Sequence, residues 1–183
     1  MKTRKQRGAR NMIRKANAAD LPGIGEIYEA IFDQEAQGPV YTNWLRGTYP
    51  TVDSARQVLE AGTLYVGEED GVLWGVVNLN GVQLPEYGKI PWTIPAEQEE
   101  VGVIHTLCIH PAQSGKGLAK RMVAFCEETA RAQGKTVIRL DTWEGNAPTN
   151  HLYPSIGYGF AGSTEFFFQG YIHEILNCYE KKL

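Results

Sequence analysis

One stretch of this 183-residue chain reads directly as chemistry: Val103-Ile-His-Thr-Leu-Cys-Ile-His-Pro-Ala-Gln-Ser-Gly-Lys-Gly-Leu-Ala119. An apolar run ends at Pro111, two glycines follow at 115 and 117, and a helical pattern opens at once. Glycine allows positive φ and lets a ligand approach the backbone. Successive N–H groups then converge at a helix N-terminus, where the dipole favours an anion. Phosphate is the anion such a turn suits, and Lys116, Lys120 and Arg121 add positive charge. Two common phosphate motifs are excluded. A P-loop needs glycine where His110 stands and a hydroxyl where Gly117 stands, and a Gly-x-Gly-x-x-Gly fingerprint needs glycine at Lys120. A second stretch, Asn146-Ala-Pro-Thr-Asn-His-Leu-Tyr-Pro-Ser-Ile-Gly-Tyr158, brings a phenol and amides together after a later strand. Cys108, Cys126 and Cys178 are odd in number and widely spaced, so neither a disulfide framework nor a metal site is expected.

The elements that must position these residues follow from periodicity. Met12–Ala16 reads as a strand. A helix then opens at Asp20 with Ile24, Ile27, Tyr28 and Ile31 on one face. A second helix is expected over 53–62. Strands at 63–67 and 72–79 flank an Asp70-Gly71 hairpin turn. Residues 81–100 form a loop long enough to line a site. Strand 101–109, helix 118–132, strand 136–142, a short helix 147–156 and strands near 159–168 and 171–179 complete the order. That order predicts an α/β (α+β) domain with a mixed, largely antiparallel sheet rather than a doubly wound one.

Composition narrows the class. Apolar residues make up 43% and charged residues 21%, and no apolar run approaches the roughly 20 residues of a membrane span. Residues 1–15 carry seven basic side chains and no acids; the rest carries 11 basic and 21 acidic, a balance of −10. Residues 1–11 read as a disordered basic leader and 12–183 as a single domain. Without aromatic interleaving the leader is thin ground for nucleic acid binding, which is not expected. The reducing cytoplasm is the expected compartment, since no secretory pattern follows the basic start. An acidic body concentrates cations, which suits an amine substrate.

On its two motif stretches the chain resembles the GCN5-related N-acetyltransferase (GNAT) superfamily, which moves an acetyl group from acetyl-CoA to an amine. The family's acetyl-CoA turn, Gln/Arg-x-x-Gly-x-Gly/Ala, falls on Ser114-Gly115-Lys116-Gly117-Leu118-Ala119 when aligned by its glycines. The later Asn-x-x-Ala-x-x-Leu-Tyr-x-x-x-Gly-Phe pattern falls on Asn146, Thr149, Leu152, Tyr153, Gly157 and Tyr158. Ser114 stands where Gln or Arg is usual, with Gln113 one place early; Thr149 replaces Ala and Tyr158 replaces Phe. The resemblance implies a GNAT-like sheet flanked by helices, with a splayed strand pair forming the acetyl-CoA site. The main chain of Leu107, Cys108 and Ile109 would pair with the pantetheine arm as if it were a strand. The amides from Gln113 and Ser114 through Gly115, Lys116, Gly117, Leu118 and Ala119 would hold the pyrophosphate. Asn146 would bond the pantetheine or orient Tyr153, and Tyr153 would protonate the departing CoA thiolate as a general acid.

The amine must also lose a proton. An alkylammonium of pKa near 10.4 is neutral so rarely at pH 7 that the deficit is about 4.6 kcal/mol. His105 is the first candidate base, because simple alternation puts it on the strand face of residues 107 and 109. Glu144 is the second, while His110 and His151 read as surface residues. Cys108 should face the other way, as a buried thiol rather than a nucleophile. Acceptor contacts are expected from the first two helices and the 81–100 loop, where Tyr28, Asp33, Trp44, Tyr49 and Trp92 lie. The expected partner is a small-molecule amine acceptor, with a protein N-terminus or lysine second and a CoA-binding module without turnover as the non-enzymatic alternative. No membrane partner is expected, and a homodimer is in keeping with the superfamily.

Overall fold

The computed structural model describes residues 11–168 and 170–183. The expected leader lies outside the described residues except for Asn11, which opens the first strand. The elements run β1 (Asn11–Lys15), α1 (Leu21–Gln37), α2 (Val52–Glu60), β2 (Leu64–Glu69), β3 (Val72–Asn80), β4 (Val101–Ile109), α3 (Leu118–Ala132), β5 (Val137–Trp143), α4 (Ala147–Ser155), β6 (Gly159–Phe168) and β7 (Ile172–Lys182). They build one sheet in the order β1-β2-β3-β4-β5-β7-β6. Every pairing is antiparallel except β4 with β5. The expected mixed, largely antiparallel sheet is therefore present.

Local chemistry accounts for the elements. Asp70 (φ 51°) and Gly71 (φ 85°) make the tight turn between β2 and β3, the conformation Asp-Gly favours. Leu21, Ile24, Ile27 and Tyr28 bury one face of α1. Asp20 precedes that helix as expected but does not cap it with its side chain. Its carboxylate accepts instead from the Asn17 amide at 2.7 Å and from the Arg14 guanidinium at 2.8 and 2.9 Å. The 81–100 segment carries two short 3-10 turns, Pro85–Lys89 and Gln98–Glu100, and is pinned to the sheet. Glu180, 3% exposed, accepts from the Thr93 amide and hydroxyl at 2.7 and 2.8 Å. The Arg139 guanidinium donates to Gln83 and Ile94 and stacks over Trp92.

Two apolar layers sandwich the sheet. Leu118, Met122 and Cys126 of α3 and Tyr153 of α4 pack with Val77, Ile104 and Leu140 on one face. On the other, α1 and α2 cover Val66, Val76 and Cys108, and Tyr87 and Ile90 of the long loop cover Val103, Val137 and Cys178. Strand β4 has a kink in its middle. Val76 pairs with Cys108 but Asn78 pairs with His105, so Thr106 and Leu107 together oppose Val77. Thr106 sits at φ 49°, in the left-handed region that a β-branched residue rarely enters. This is a β-bulge, and a bulge bends its strand and resets the alternation of side chains. Below it, β4 pairs with β5 only from Val101↔Val137 to Ile104↔Leu140.

Gly75 faces the bulged strand, where a methyl would lie 2.9 Å from both the Cys108 carbonyl oxygen and Ile109 Cδ1. Gly75→Ala is predicted to cost about 1–3 kcal/mol through overpacking, measured by urea unfolding.

Candidate active site

Beyond Ile104 and Leu140 the two parallel strands separate, and a cavity of about 270 Å³ fills the gap. Because it opens through the sheet, residues from both faces line it. Leu107, Ile109, Asn146 and Tyr153 approach from the α3–α4 side; His105, Trp44, Tyr49 and Glu174 approach from the other.

At the α3 end, Gly115 and Gly117 both take positive φ (77° and 73°), and a Cβ on either would meet open space. The Gln113 and Ser114 amides, expected in the cradle, donate instead to the His110 and Pro111 carbonyls at 2.8 and 3.0 Å, and the Arg121 amide donates to Gly117. None of the amides of residues 115–120 between them bonds to a described backbone carbonyl, as the first turn of a helix requires. Here Gln113 accepts from Lys116 Nζ at 2.6 Å. These amides form a concavity suited to a pyrophosphate.

Tyr153 is 4% exposed, its ring set against Tyr158 and Tyr179 at 5.8 and 5.6 Å. Burial first, then the Asp141 charge, pushes its pKa up, so the phenol keeps its proton. Asn146 caps α4, its Oδ1 accepting from the Thr149 amide at 3.2 Å, and the residue lines the cavity. Thr149, at the family's alanine position, bonds Thr142 through its hydroxyl at 2.7 Å.

The structure corrects the expected orientation of His105. The bulge shifts the phase by one residue, so His105 shares its face with Val103 and Asn78, opposite Leu107 and Ile109. It still lines the cavity, from the face covered by α1 and the long loop. Its Nε2 lies 3.1 Å from both Asn80 Oδ1 and the Val82 carbonyl. Both are acceptors, so Nε2 carries the hydrogen and Nδ1 holds the lone pair. Burial lowers its pKa to about 4, and it is neutral at pH 7. Cys108 does face away from Leu107 and Ile109, 2% exposed, its thiol pushed up by burial.

Of the expected acceptor contacts, Trp44 and Tyr49 line the cavity. The others do not: Tyr28 is in the α1–α2 core, Asp33 pairs with Arg46, and Trp92 lies under Arg139. Glu144 is exposed and His151 likewise; His110 turns its Nδ1 back to the Ala112 amide at 3.2 Å. Sequence reasoning missed Asp141, Glu174, Phe166 and Phe168. Asp141 accepts from the Tyr87 hydroxyl at 2.6 Å, and burial raises its pKa to about 6. Glu174 is raised to about 7, by burial above all and also by the Asp141 charge. The available signal for Asp141 was that it is the one acid in strand Val137–Trp143. Glu174 gave none, because it meets the cavity only through the long β6–β7 hairpin.

A donor with a pyrophosphate at one end and amide groups along its arm suits such a cradle and such a gap, which places the protein among CoA-dependent acyltransferases. The model of the Acetyltransferase (GNAT) family matches residues 24–158, and the chain belongs to this family of acetyl-CoA-dependent N-acetyltransferases. It is 29% identical over 152 residues to the L-methionine sulfoximine/L-methionine sulfone acetyltransferase of Salmonella typhimurium, covering 80% of this chain and 78% of the relative. It is 28% identical to the L-amino acid N-acyltransferase MnaT of Escherichia coli over the same shares of each chain. A GNAT-family acetyltransferase from Streptococcus agalactiae shares the fold with a TM-score of 0.76 at 21% identity, covering 97% and 96% of the two chains. The Salmonella typhimurium protein yncA, solved with its cofactor acetyl-CoA, matches at 0.66 and 22%, covering 95% and 94%. Among the described residues no helix is long and apolar enough to cross a membrane.

Gly117→Ala places an L side chain at φ 73°, a strain of about 1–2 kcal/mol. The turn is predicted to shift and acetyl-CoA to bind about 5- to 20-fold more weakly by isothermal titration, with the far-UV spectrum unchanged.

Proposed function

We propose that the protein acetylates the primary amine of a small molecule by direct attack on bound acetyl-CoA. The observation that carries this reading is the cavity that passes through the split sheet, because donor and acceptor can meet there from opposite faces. The two curated relatives are named for acetyl or acyl transfer to amino acids or methionine derivatives, which favours a small acceptor over a protein N-terminus or lysine.

In this reading the cradle amides of 115–120 hold the pyrophosphate, and the free edge of β4 at Leu107–Ile109 holds the pantetheine arm. The Asn146 NH2 group fixes the arm near the thioester. The neutral amine attacks the carbonyl carbon from the acceptor side while a backbone N–H of β4 stabilises the oxyanion. As the C–S bond breaks, Tyr153 gives its proton to the thiolate, and its buried phenol is suited to this because it is never ionised at neutral pH. His105 Nδ1 takes the amine proton, directly or through water. A second reading assigns that proton to Glu174, favoured by its pKa near 7, which matches a general base to the working pH.

Two measurements test the roles. Thiol release with a panel of amines should fall at least tenfold for Tyr153→Phe, about 1.4 kcal/mol of barrier, with acetyl-CoA affinity unchanged. Equal rates would remove Tyr153 from the chemistry, and turnover of peptides but not free amines would reverse the choice of acceptor. A general base must be unprotonated, so kcat/KM is lost as pH falls through its pKa. With His105 as base the acid limb lies near pH 4; a limb near 7 that disappears in Glu174→Gln transfers the role to Glu174.

A further inference from the structure

The acceptor half of the cavity has an unbalanced charge. Among the described residues its lining includes three carboxyl groups, Glu35, Asp141 and Glu174, and no lysine or arginine. Two of the three are already engaged. Glu35 accepts from the Tyr41 and Thr42 amides at 2.8 Å each and from the Thr42 hydroxyl at 2.9 Å. Asp141 holds the Tyr87 hydroxyl. Glu174 has only a distant contact, Asn43 Nδ2 at 3.5 Å, so its carboxylate is the one left to receive a ligand. The arginines that could have supplied a cation are turned elsewhere: Arg46 to Glu29 and Asp33, Arg139 to Gln83 and Ile94. Ile31, Trp44, Tyr49, Leu84, Phe166 and Phe168 give the walls between an apolar and aromatic part, beside the polar Gln34 and Thr106.

Resting on the function proposed above, we infer that the acceptor is a primary amine with an aromatic or apolar body and no carboxylate, whose ammonium group docks on Glu174. The walls accept the body, and ring faces add attraction for a cation. A free amino acid would bring its own carboxylate into a cavity that offers three more and, among the described residues, no positive partner. Specificity of this kind comes from the repulsion built against the wrong ligand as much as from the contact made with the right one. The acceptor thus differs from those named for the two curated relatives, which are amino acids or methionine derivatives.

The test uses the full chain and three acceptors of matched shape: phenethylamine, L-phenylalanine and L-phenylalaninamide. At pH 8.5, where Glu174 is ionised, phenethylamine should exceed L-phenylalanine in kcat/KM by at least about a hundredfold. The amide, as large as the amino acid but without its negative charge, should recover most of that gap. Glu174→Gln should raise KM for phenethylamine at least tenfold and narrow its advantage, with acetyl-CoA affinity unchanged. Calorimetric titration of the amines alone, without donor, should give the same order. Parity between the amino acid and the amine, failure of the amide to recover, or no binding of any amine would overturn the inference. Loss of acetyl-CoA binding in its own titration would instead overturn the wider reading, while the donor-free amine titration still decides this one.

Discussion

After Ile104, the backbone groups of β4 that point away from β3 have no strand to bond, because β5 has left. Backbone N–H and C=O groups out of contact with water require partners. In the proposed function the pantetheine arm of acetyl-CoA, extended and carrying amides of its own, supplies that partner. On that proposal the missing half of the strand pair is the binding determinant. The glycine cradle lies just past the end of the same strand, and α4 brings Tyr153 to the gap from one face.

Keeping that gap open takes support from several directions. Thr106 holds an unfavourable backbone conformation, worth of order 1–3 kcal/mol, and the Tyr49 hydroxyl bonds its side chain. Tyr87 fastens the long loop to Asp141 on β5, and Glu180 fastens it to β7. Glu35 fixes the loop after α1 by three hydrogen bonds. A bulge of this kind re-aims side chains. It turns His105 to the face of Val103 while leaving Leu107 and Ile109 on the face of α3.

Much of this was legible in the sequence. The strand, the two-glycine turn and the helix from 101 to 132 are set by local pattern, so β4 and α3 fall within the expected bounds. The Asp70-Gly71 turn and α4 are local too. The orientation of His105 was not legible, because alternation assumes an unbroken strand and nothing in Ile-His-Thr-Leu marks a bulge. The acceptor wall was not legible either. Asp141, Phe166, Phe168 and Glu174 come together only through the β5–β7–β6 pairing, which is a property of the folded sheet. Asp33 and Trp92 looked apt for a cation but were consumed by structural partners, Arg46 and Arg139. Residue type alone does not distinguish a side chain that waits for a ligand from one already paired.

The central claim is that the separated edge of β4 is completed by the acyl donor. A crystal structure of the acetyl-CoA complex tests it most directly. The account predicts the pantetheine amides bonded to the β4 main chain at Leu107–Ile109, the pyrophosphate on the amides of 115–120, and the thioester sulfur within hydrogen-bond reach of the Tyr153 hydroxyl. Acetyl-CoA bound elsewhere, or a pantetheine arm that leaves the β4 edge unpaired, would contradict it.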